Sequence, residues 1–134
     1  MQTQVSLGAV FAAEKIVYSA LKPTQLTPYR NLSELIGCQV YIKHENQHPG
    51  GSFKIRGGVN LMHHLREEGV RGVITFSTGN HGISIAASAR RYSIDATIVV
   101  PQGSNLVKIQ TMREYGATVL EEGRNFEEAA AFGM

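Results

Sequence analysis

Three short apolar runs stand out in the second half of the chain. They read GVITFS from Gly72, IDATIVVP from Ile94 and ATVLEE from Ala117. Runs of this length without strict alternation of apolar and polar residues are typical of strands that are covered on both faces. We therefore predict that these three runs form neighbouring strands of a parallel sheet.

The segments between these runs carry apolar residues at helical spacing. Leu106, Ile109 and Met112, for example, recur every three residues and predict one apolar helix face. Alternation of strands and helices predicts an α/β fold, with an open parallel sheet, helices on both faces and right-handed crossovers. The predicted helices run from near Ser52 to Gly69, from Asn80 to about Tyr92, from Asn105 to Gly116 and from Asn125 onward.

The first fifty residues follow a different pattern. Apolar positions such as Val10 and Val17 recur at helical intervals and predict an amphipathic helix that packs on another element. The stretch TQLTPYRNLSELIG predicts a loop and then a short helix, with Asn31 or Ser33 as its cap and Gly37 as its end. Alternation in QVYIKHEN predicts one further strand.

Composition narrows the classes of protein to consider. With 134 residues, 43% hydrophobic and 18% charged, the chain is long enough for one folded domain and is unlike disordered sequences. The 13 basic residues exceed the 11 acidic ones by only two, which argues against nucleic-acid binding. No basic segment precedes the short apolar stretch from Val5 to Ala13, so we predict neither a signal peptide nor a membrane span. The single cysteine, Cys38, fits a reducing cytoplasm.

The loop after the first predicted sheet strand carries several hydrogen-bond donors. It reads STGNHG from Ser77 to Gly82 and leads directly into a helix. Ligands of open α/β sheets bind beyond the carboxyl ends of the strands, and a helix N-terminus there favours an anion. A carboxylate or a phosphate is therefore one interpretation, and ordinary capping by Ser77, Thr78 and Asn80 is an equally good one. His81 has no helical metal-binding partner, so we predict no metal site.

A second cluster of residues surrounds Lys54. The turn sequence HPGGS precedes it, and Lys54 stands just inside the predicted helix start, where the helix dipole disfavours positive charge. Burial and a positive local potential would both lower the pKa of such a lysine and favour the neutral amine that attacks a carbonyl. A lone lysine is more often a solvated surface residue. The nearby donor loop is what makes Lys54 a candidate for function.

Several nucleotide-binding and hydrolase motifs do not occur in the sequence. No G-x-G-x-x-G follows a strand, and neither a P-loop motif nor a G-x-S-x-G elbow is present. The sequence therefore gives no motif support for binding a dinucleotide or a nucleoside triphosphate, or for a serine hydrolase.

Taken together, the two clusters resemble a known enzyme family. The segments LTPYRNLSELIGCQVYIKHENQHPGGSFKIRGG, FSTGNHGISIAASARRYSI and ATIVVPQGSNLVKIQTMREYGATVLEEG occur in that order. They resemble the fold-type II pyridoxal-phosphate enzymes, specifically the branch of serine and threonine dehydratases and serine racemase. The resemblance covers roughly residues 20 to 130. It implies that residues 1–50 belong to the large domain of full-length relatives and that residues 51–134 form a small α/β domain.

The resemblance also implies roles for individual residues. Lys54 would form the Schiff base with pyridoxal 5′-phosphate and then remove the α-proton of the substrate. Phe53 would lie against the cofactor ring, and Asn80 would hydrogen-bond the ring's 3′ oxygen. The substrate carboxylate would be held by the loop residues Ser77, Thr78, Gly79, Asn80 and His81. The implied reaction is β-elimination of water from a hydroxy amino acid, giving a 2-oxo acid and ammonia.

Other activities in the superfamily remain as alternatives. Enzymes of the β-replacement branch typically have TSGNTG at this loop, so His81 after Asn80 favours a dehydratase. Racemases of the branch have a serine where Thr78 stands, and Thr78 keeps a hydroxyl but adds a methyl group. A non-catalytic module that binds a small anion at the Ser77–Gly82 loop is the alternative outside enzyme chemistry.

The length of the chain sets one further expectation. The family's enzymes are more than twice this long, and their glycine-rich phosphate loop lies in a later segment. The last residues, Phe132 to Met134, fall within a predicted helix, so we expect a fragment that lacks the phosphate-binding half and turns over little substrate. The expected partners are a small amino-acid substrate and further copies of the chain, with neither nucleic acid nor membrane.

Overall fold

A computed structural model describes residues 6–132, in which helices and strands alternate. Val5, where the short apolar stretch begins, lies outside the described residues, as do Gly133 and Met134 at the end of the last predicted helix. A short 3-10 turn spans Glu45–Gln47. The helices are α1 (Leu7–Ala20), α2 (Arg30–Ile36), α3 (Lys54–Glu67), α4 (Asn80–Tyr92), α5 (Leu106–Glu114) and α6 (Phe126–Phe132). The strands are β1 (Leu26–Pro28), β2 (Tyr41–Lys43), β3 (Gly72–Phe76), β4 (Asp95–Val100) and β5 (Thr118–Glu121).

The three predicted strands form one parallel sheet in the order β3-β4-β5. Gly72 pairs with Asp95 at one end of the β3–β4 ladder, and Thr97 pairs with Thr118 at the start of the β4–β5 ladder. Strands that are adjacent in sequence are thus adjacent in the sheet, each joined to the next by a helix. The predicted α/β fold with a parallel sheet is confirmed.

The central strand β4 shows why its sequence is continuously apolar. Ala96, Ile98 and Val100 belong to the main core, which also contains residues of α4 and α5 such as Ile83 and Met112. Because side chains alternate along a strand, Val99 points to the other face of the sheet, and it is fully buried there. Helix α6 packs on β3 and β4 and buries Ala129. Helices therefore cover both faces of this sheet, as predicted.

Three sequence predictions are wrong in detail. The stretch predicted as a loop contains β1, which pairs antiparallel with β2 through Leu26 and Lys43. Helix α2 begins at Arg30 after Tyr29, so neither Asn31 nor Ser33 is its cap. Leu106, predicted on the apolar face of α5, is 75% exposed. It is the first residue of the helix, and only the later turns of α5 reach the core.

Helices α3 and α4 approach each other closely at Gly58. A Cβ at this position would stand 2.5 Å from Ser84 Oγ, 2.7 Å from Ser88 Oγ and 2.9 Å from the backbone oxygen of Ser84. Only glycine therefore allows this separation of the two helices. The same contact brings the hydroxyl of Ser84 to the backbone oxygen of Lys54, to which it donates a hydrogen bond of 2.7 Å.

We expect Gly58→Ala to lower the free energy of unfolding by about 1–3 kcal/mol, because the added methyl group must push the two helices apart. Gly57→Ala is the matched control, since no atom lies within 4 Å of its Cβ position. That variant should be neutral or more stable by up to about 1 kcal/mol, because alanine favours a helix interior. Urea unfolding of both variants measures the difference, and equal stabilities would contradict the close contact.

Candidate active site

The structure places Lys54 at the first residue of α3, with Phe53 as the N-cap. The preceding turn depends on Gly50 and Gly51, whose φ angles of 77° and 70° are strained for other residues. A Cβ on Gly50 would also stand 2.6 Å from a methyl carbon of Ile83. The glycine turn therefore lets the chain approach α4 just before Lys54.

The loop from Ser77 to Gly82 joins the carboxyl end of β3 to the start of α4, as predicted. Ser77 is buried, and its Oγ accepts hydrogen bonds from the backbone N–H groups of Gly82 at 3.0 Å and Gly79 at 3.3 Å. Ser77 therefore caps the first turn of α4. Within residues 6–132, the backbone N–H groups of Asn80 and His81 have no acceptor, so two donors of the helix N-terminus stay free.

An open concavity lies between the start of α3 and the start of α4. Its volume is about 430 Å³, within the range of small-molecule sites. Phe53, Lys54 and Leu61 line one side of it, and His81 and Ile85 line the other. Lys54 of the one cluster and His81 of the other therefore open to the same space.

The environment of His81 reflects its proximity to Lys54. Partial burial of the ring and, second, the positive charge of Lys54 lower the pKa of His81 from its ordinary value. The imidazole is therefore neutral at pH 7, and its Nε2 lies 3.3 Å from the hydroxyl oxygen of Thr75. A neutral His81 adds no positive charge to the loop, which leaves the backbone donors and nearby lysines as its positive groups.

Sequence reasoning missed Lys108, which reaches this loop from α5. Its Nζ donates a hydrogen bond of 3.3 Å to Oδ1 of Asn80. It also lies 3.4 Å from the point where a Cβ on Gly79 would stand. The available signal was a lysine in the first turn of a helix, the same dipole argument that pointed to Lys54.

Sequence reasoning also missed an ion-pair network beside Lys54. Arg56 donates from Nε and a terminal nitrogen to the two oxygens of Glu45, at 2.7 and 2.8 Å. Thr24 donates a hydroxyl hydrogen bond of 2.6 Å to the same carboxylate, and Arg56 lies over the ring of Tyr18. Thr24 and Tyr18 belong to the N-terminal segment, so the network ties that segment to the helix that carries Lys54.

The Arg56 hydrogen bonds, above all, hold the pKa of Glu45 at about 2. Buried His48 lies beside this pair, with its Nε2 3.5 Å from Glu45 Oε2. Burial and, next, the charge of Arg56 lower the pKa of His48, so it is neutral at pH 7. Glu45 and Arg56 therefore both stay charged throughout the neutral pH range.

The candidate site residues occupy four kinds of position. Phe53, Lys54 and His81 line the concavity; Asn80 bonds Lys108; Thr78 is exposed on the loop. Gly79 is the N-cap of α4, so the predicted capping by Thr78 and Asn80 is wrong, whereas Ser77 accepts hydrogen bonds from Gly79 and Gly82. Lys54 is exposed, so this part of the chain does not desolvate its amine. The described residues hold no group of three or more His, Cys, Asp or Glu side chains suited to a metal ion.

Comparison with known proteins identifies the family. The model of the family described as "Pyridoxal-phosphate dependent enzyme" matches residues 17–134. The chain belongs to this family. It is 40% identical over 126 residues to the L-threonine ammonia-lyase of Thermotoga maritima, covering 93% of this chain and 31% of that protein. The resemblance inferred from the Lys54 and Ser77 motifs is confirmed at the level of the family.

Solved structures show the same fold. The processed form of threonine deaminase isoform 2 from Solanum lycopersicum is 33% identical, with a TM-score of 0.82, over 99% of this chain and 40% of that one. The serine racemase from Dictyostelium discoideum is 32% identical, with a TM-score of 0.87, over 96% of this chain and 42% of that one. The chain thus spans 31% to 42% of the length of these three relatives. Among helices within residues 6–132, none has the length and apolar character needed to cross a membrane.

We expect Arg56→Met to lower the free energy of unfolding by roughly 2–4 kcal/mol, because it leaves the carboxylate of Glu45 without its main partner. The side chains of Arg56 and Glu45 are only 23% and 21% exposed. Arg30→Met is the matched control, since Arg30 and Glu34 form an ion pair with side chains 89% and 63% exposed. Its loss should cost less than about 1 kcal/mol. Chemical unfolding at pH 7 compares the two, and equal losses would contradict the role of the network.

The same network has a pH signature. A carboxyl group whose pKa is lowered on folding stabilises the protein fully above its ordinary pKa and loses that contribution as the pH falls. The stability advantage of the wild type over Glu45→Gln should therefore be constant above the ordinary pKa of 4.5 and disappear as the pH approaches about 2. An advantage that persists unchanged at pH 2 would contradict the ion pair.

Proposed function

We propose that this chain is the lysine-bearing part of a pyridoxal-phosphate dependent ammonia-lyase. The reaction would remove water from a hydroxy amino acid and give a 2-oxo acid and ammonia. One observation carries the proposal: Lys54 of α3 and His81 at the start of α4 line a single open concavity. The names of relatives such as the L-threonine ammonia-lyase of Thermotoga maritima support the same activity.

The residues that line the concavity and those beside it fit pyridoxal phosphate by their chemistry. Lys54 offers a primary amine for an aldehyde, and Phe53 and Leu61 offer apolar surface for an aromatic ring. The side chain of Asn80 and the free N–H groups at the start of α4 offer donors for oxygen atoms. When bound, the cofactor supplies the electron sink that stabilises the carbanion of the substrate.

These residues would share the tasks of binding and proton transfer. Lys54 would hold the cofactor by its aldehyde carbon and, once released, accept the α-proton of the substrate. Phe53 would lie against the ring and Asn80 would donate to the ring oxygen. The loop residues Ser77, Thr78, Gly79, Asn80 and His81 would bind the substrate carboxylate, for which the free N–H groups of Asn80 and His81 are suited. Ser77 would act indirectly, because its Oγ accepts hydrogen bonds from the backbone N–H groups of Gly79 and Gly82 and so holds the loop in place.

Racemisation is the second candidate, for which Thr78 offers a hydroxyl group. Racemases need a second acid or base opposite the lysine, and Thr78 carries a hydroxyl that is exposed on the loop. The serine racemase from Dictyostelium discoideum shares this fold at 32% identity. A threonine hydroxyl can donate and accept a proton like serine, but its methyl group restricts approach to the substrate. Elimination of water therefore remains the first proposal.

The proposal also covers the substrate, the cellular compartment, the oligomeric state and the domain division of the enzyme. Its substrate would be serine, threonine or a similar small hydroxy amino acid. Exposed Cys38 suits the cytoplasm, and large exposed apolar side chains on α1, such as Leu7 and Phe11, support assembly into a homo-oligomer. Residues 1–50 would belong to the large domain and residues 51–134 to the small domain of such an enzyme.

Borohydride reduction of the chain with pyridoxal phosphate tests the assignment of Lys54. Borohydride reduces the carbon–nitrogen double bond between an amine and an aldehyde, which makes the link permanent. We expect peptide mapping to find the phosphopyridoxyl group predominantly on Lys54. Absorbance of the bound cofactor in the visible range should disappear in Lys54→Ala.

Lys15→Ala is the matched control, because Lys15 is an exposed residue of α1 that does not line the concavity. It should keep the absorbance and the label on Lys54. Label spread evenly over the lysines, or unchanged absorbance in Lys54→Ala, would overturn the proposed function. Retention of a small anion without any covalent label would favour the non-catalytic binding module instead.

A further inference from the structure

We propose that Lys108 is a positioning residue that fixes the side-chain amide of Asn80 as a donor toward ligands. The proposal rests on the proposed function, because it specifies how the loop at Ser77–Gly82 recognises what binds there. In short, Lys108 takes the acceptor side of Asn80 and leaves the two N–H donors of its amide for an anionic or acceptor oxygen.

The position of Lys108 is set by the start of α5. Asn105 caps this helix, and its Oδ1 accepts hydrogen bonds from the backbone N–H groups of Val107 and Lys108, at 3.0 and 3.2 Å. Lys108 is thereby held in the first turn, next to the start of α4, where its Nζ reaches Oδ1 of Asn80. The contact joins the first turns of two helices that follow neighbouring strands of the sheet.

The chemistry of an ammonium group determines which way the amide faces. A lysine ammonium only donates hydrogen bonds, so it must face the oxygen of the amide and not its nitrogen. The NH2 group of Asn80 then points away from Lys108. Without this contact, a half turn of the amide would exchange its donor and acceptor at little cost.

The positive charge of Lys108 lies where the helix dipoles destabilise it. Lys108 lies at the N-terminal ends of both α4 and α5, where helix dipoles disfavour a cation. None of the ion pairs formed within residues 6–132 includes Lys108. A lysine at this point therefore gains little for stability, and a role in orienting Asn80 and attracting an anion explains it.

The result is a cluster of hydrogen-bond donors at the start of α4. The NH2 of Asn80, the free backbone N–H groups of Asn80 and His81, and the ammonium of Lys108 all favour oxygen atoms that carry negative charge. A ring oxygen of the cofactor and a substrate carboxylate both belong to this class.

Side-chain amide resonances of the nitrogen-15 labelled chain test the proposal without any ligand. Asn80→Ser identifies the NH2 signals of Asn80 by their loss. We expect Lys108→Met to shift these signals, and Lys108→Arg to leave them near their wild-type positions because arginine is also a pure donor. Lys15→Met, which removes an equal charge from α1, should leave them unchanged.

Titration with pyridoxal phosphate then tests whether the orientation of the Asn80 amide contributes to ligand binding. We expect Lys108→Met to weaken binding about tenfold, the effect of one charge-assisted hydrogen bond, and Lys108→Arg to restore most of it. Asn80 signals that move no more in Lys108→Met than in Lys15→Met would overturn the proposal, as would unchanged affinity. If the wild-type chain binds no pyridoxal phosphate, the proposed function fails. The amide signals alone then decide whether Lys108 orients Asn80. If Lys108→Met does not fold, Lys108→Arg replaces it in this test, and NH2 signals of Asn80 that leave their wild-type positions in Lys108→Arg would overturn the proposal.

Discussion

The close contact between α3 and α4 is the constraint on which the candidate site depends. Gly58 lets α3 approach the serines of α4, and Ser84 donates its hydroxyl hydrogen to the backbone oxygen of Lys54. Both serines are almost fully buried, so this contact is part of the core. Because α4 begins at the donor loop, the same contact that packs the two helices also sets the position of Lys54 relative to that loop.

Two further contacts complete the placement of the site. Arg56, in the first turn of α3, binds the carboxylate of Glu45 and holds the N-terminal segment against this helix. Lys108 brings α5 to the other side of the loop through Asn80. The residues that line the concavity come from the region of α3 and from α4. Glu45 and Lys108 reach these two helices from other parts of the chain.

The sequence was sufficient for most of the sheet and for the two chemical clusters. Strands β3 to β5 lie in a sheet covered on both faces, so their apolar runs are distinctive, and the paired glycines before Lys54 mark a tight turn that bulkier residues would block. Strand β1 was missed because it has three residues, includes Pro28 and leaves Leu26 exposed, which gives no apolar pattern. Arg56 with Glu45, and Lys108 with Asn80, could not be paired from sequence, because each partnership depends on how separate elements pack.

The most direct test of the account is the pKa of His81, measured by nuclear magnetic resonance in the free chain. If Lys54 and the donor loop share one concavity, His81 titrates below its ordinary value of about 6.5. Replacing Lys54 by methionine then raises the pKa of His81, because a neighbouring positive charge is removed, while partial burial still keeps it below that value. Lys15→Met should have no effect. A pKa of His81 that is the same in Lys54→Met as in the wild type would show that the amine does not face the loop.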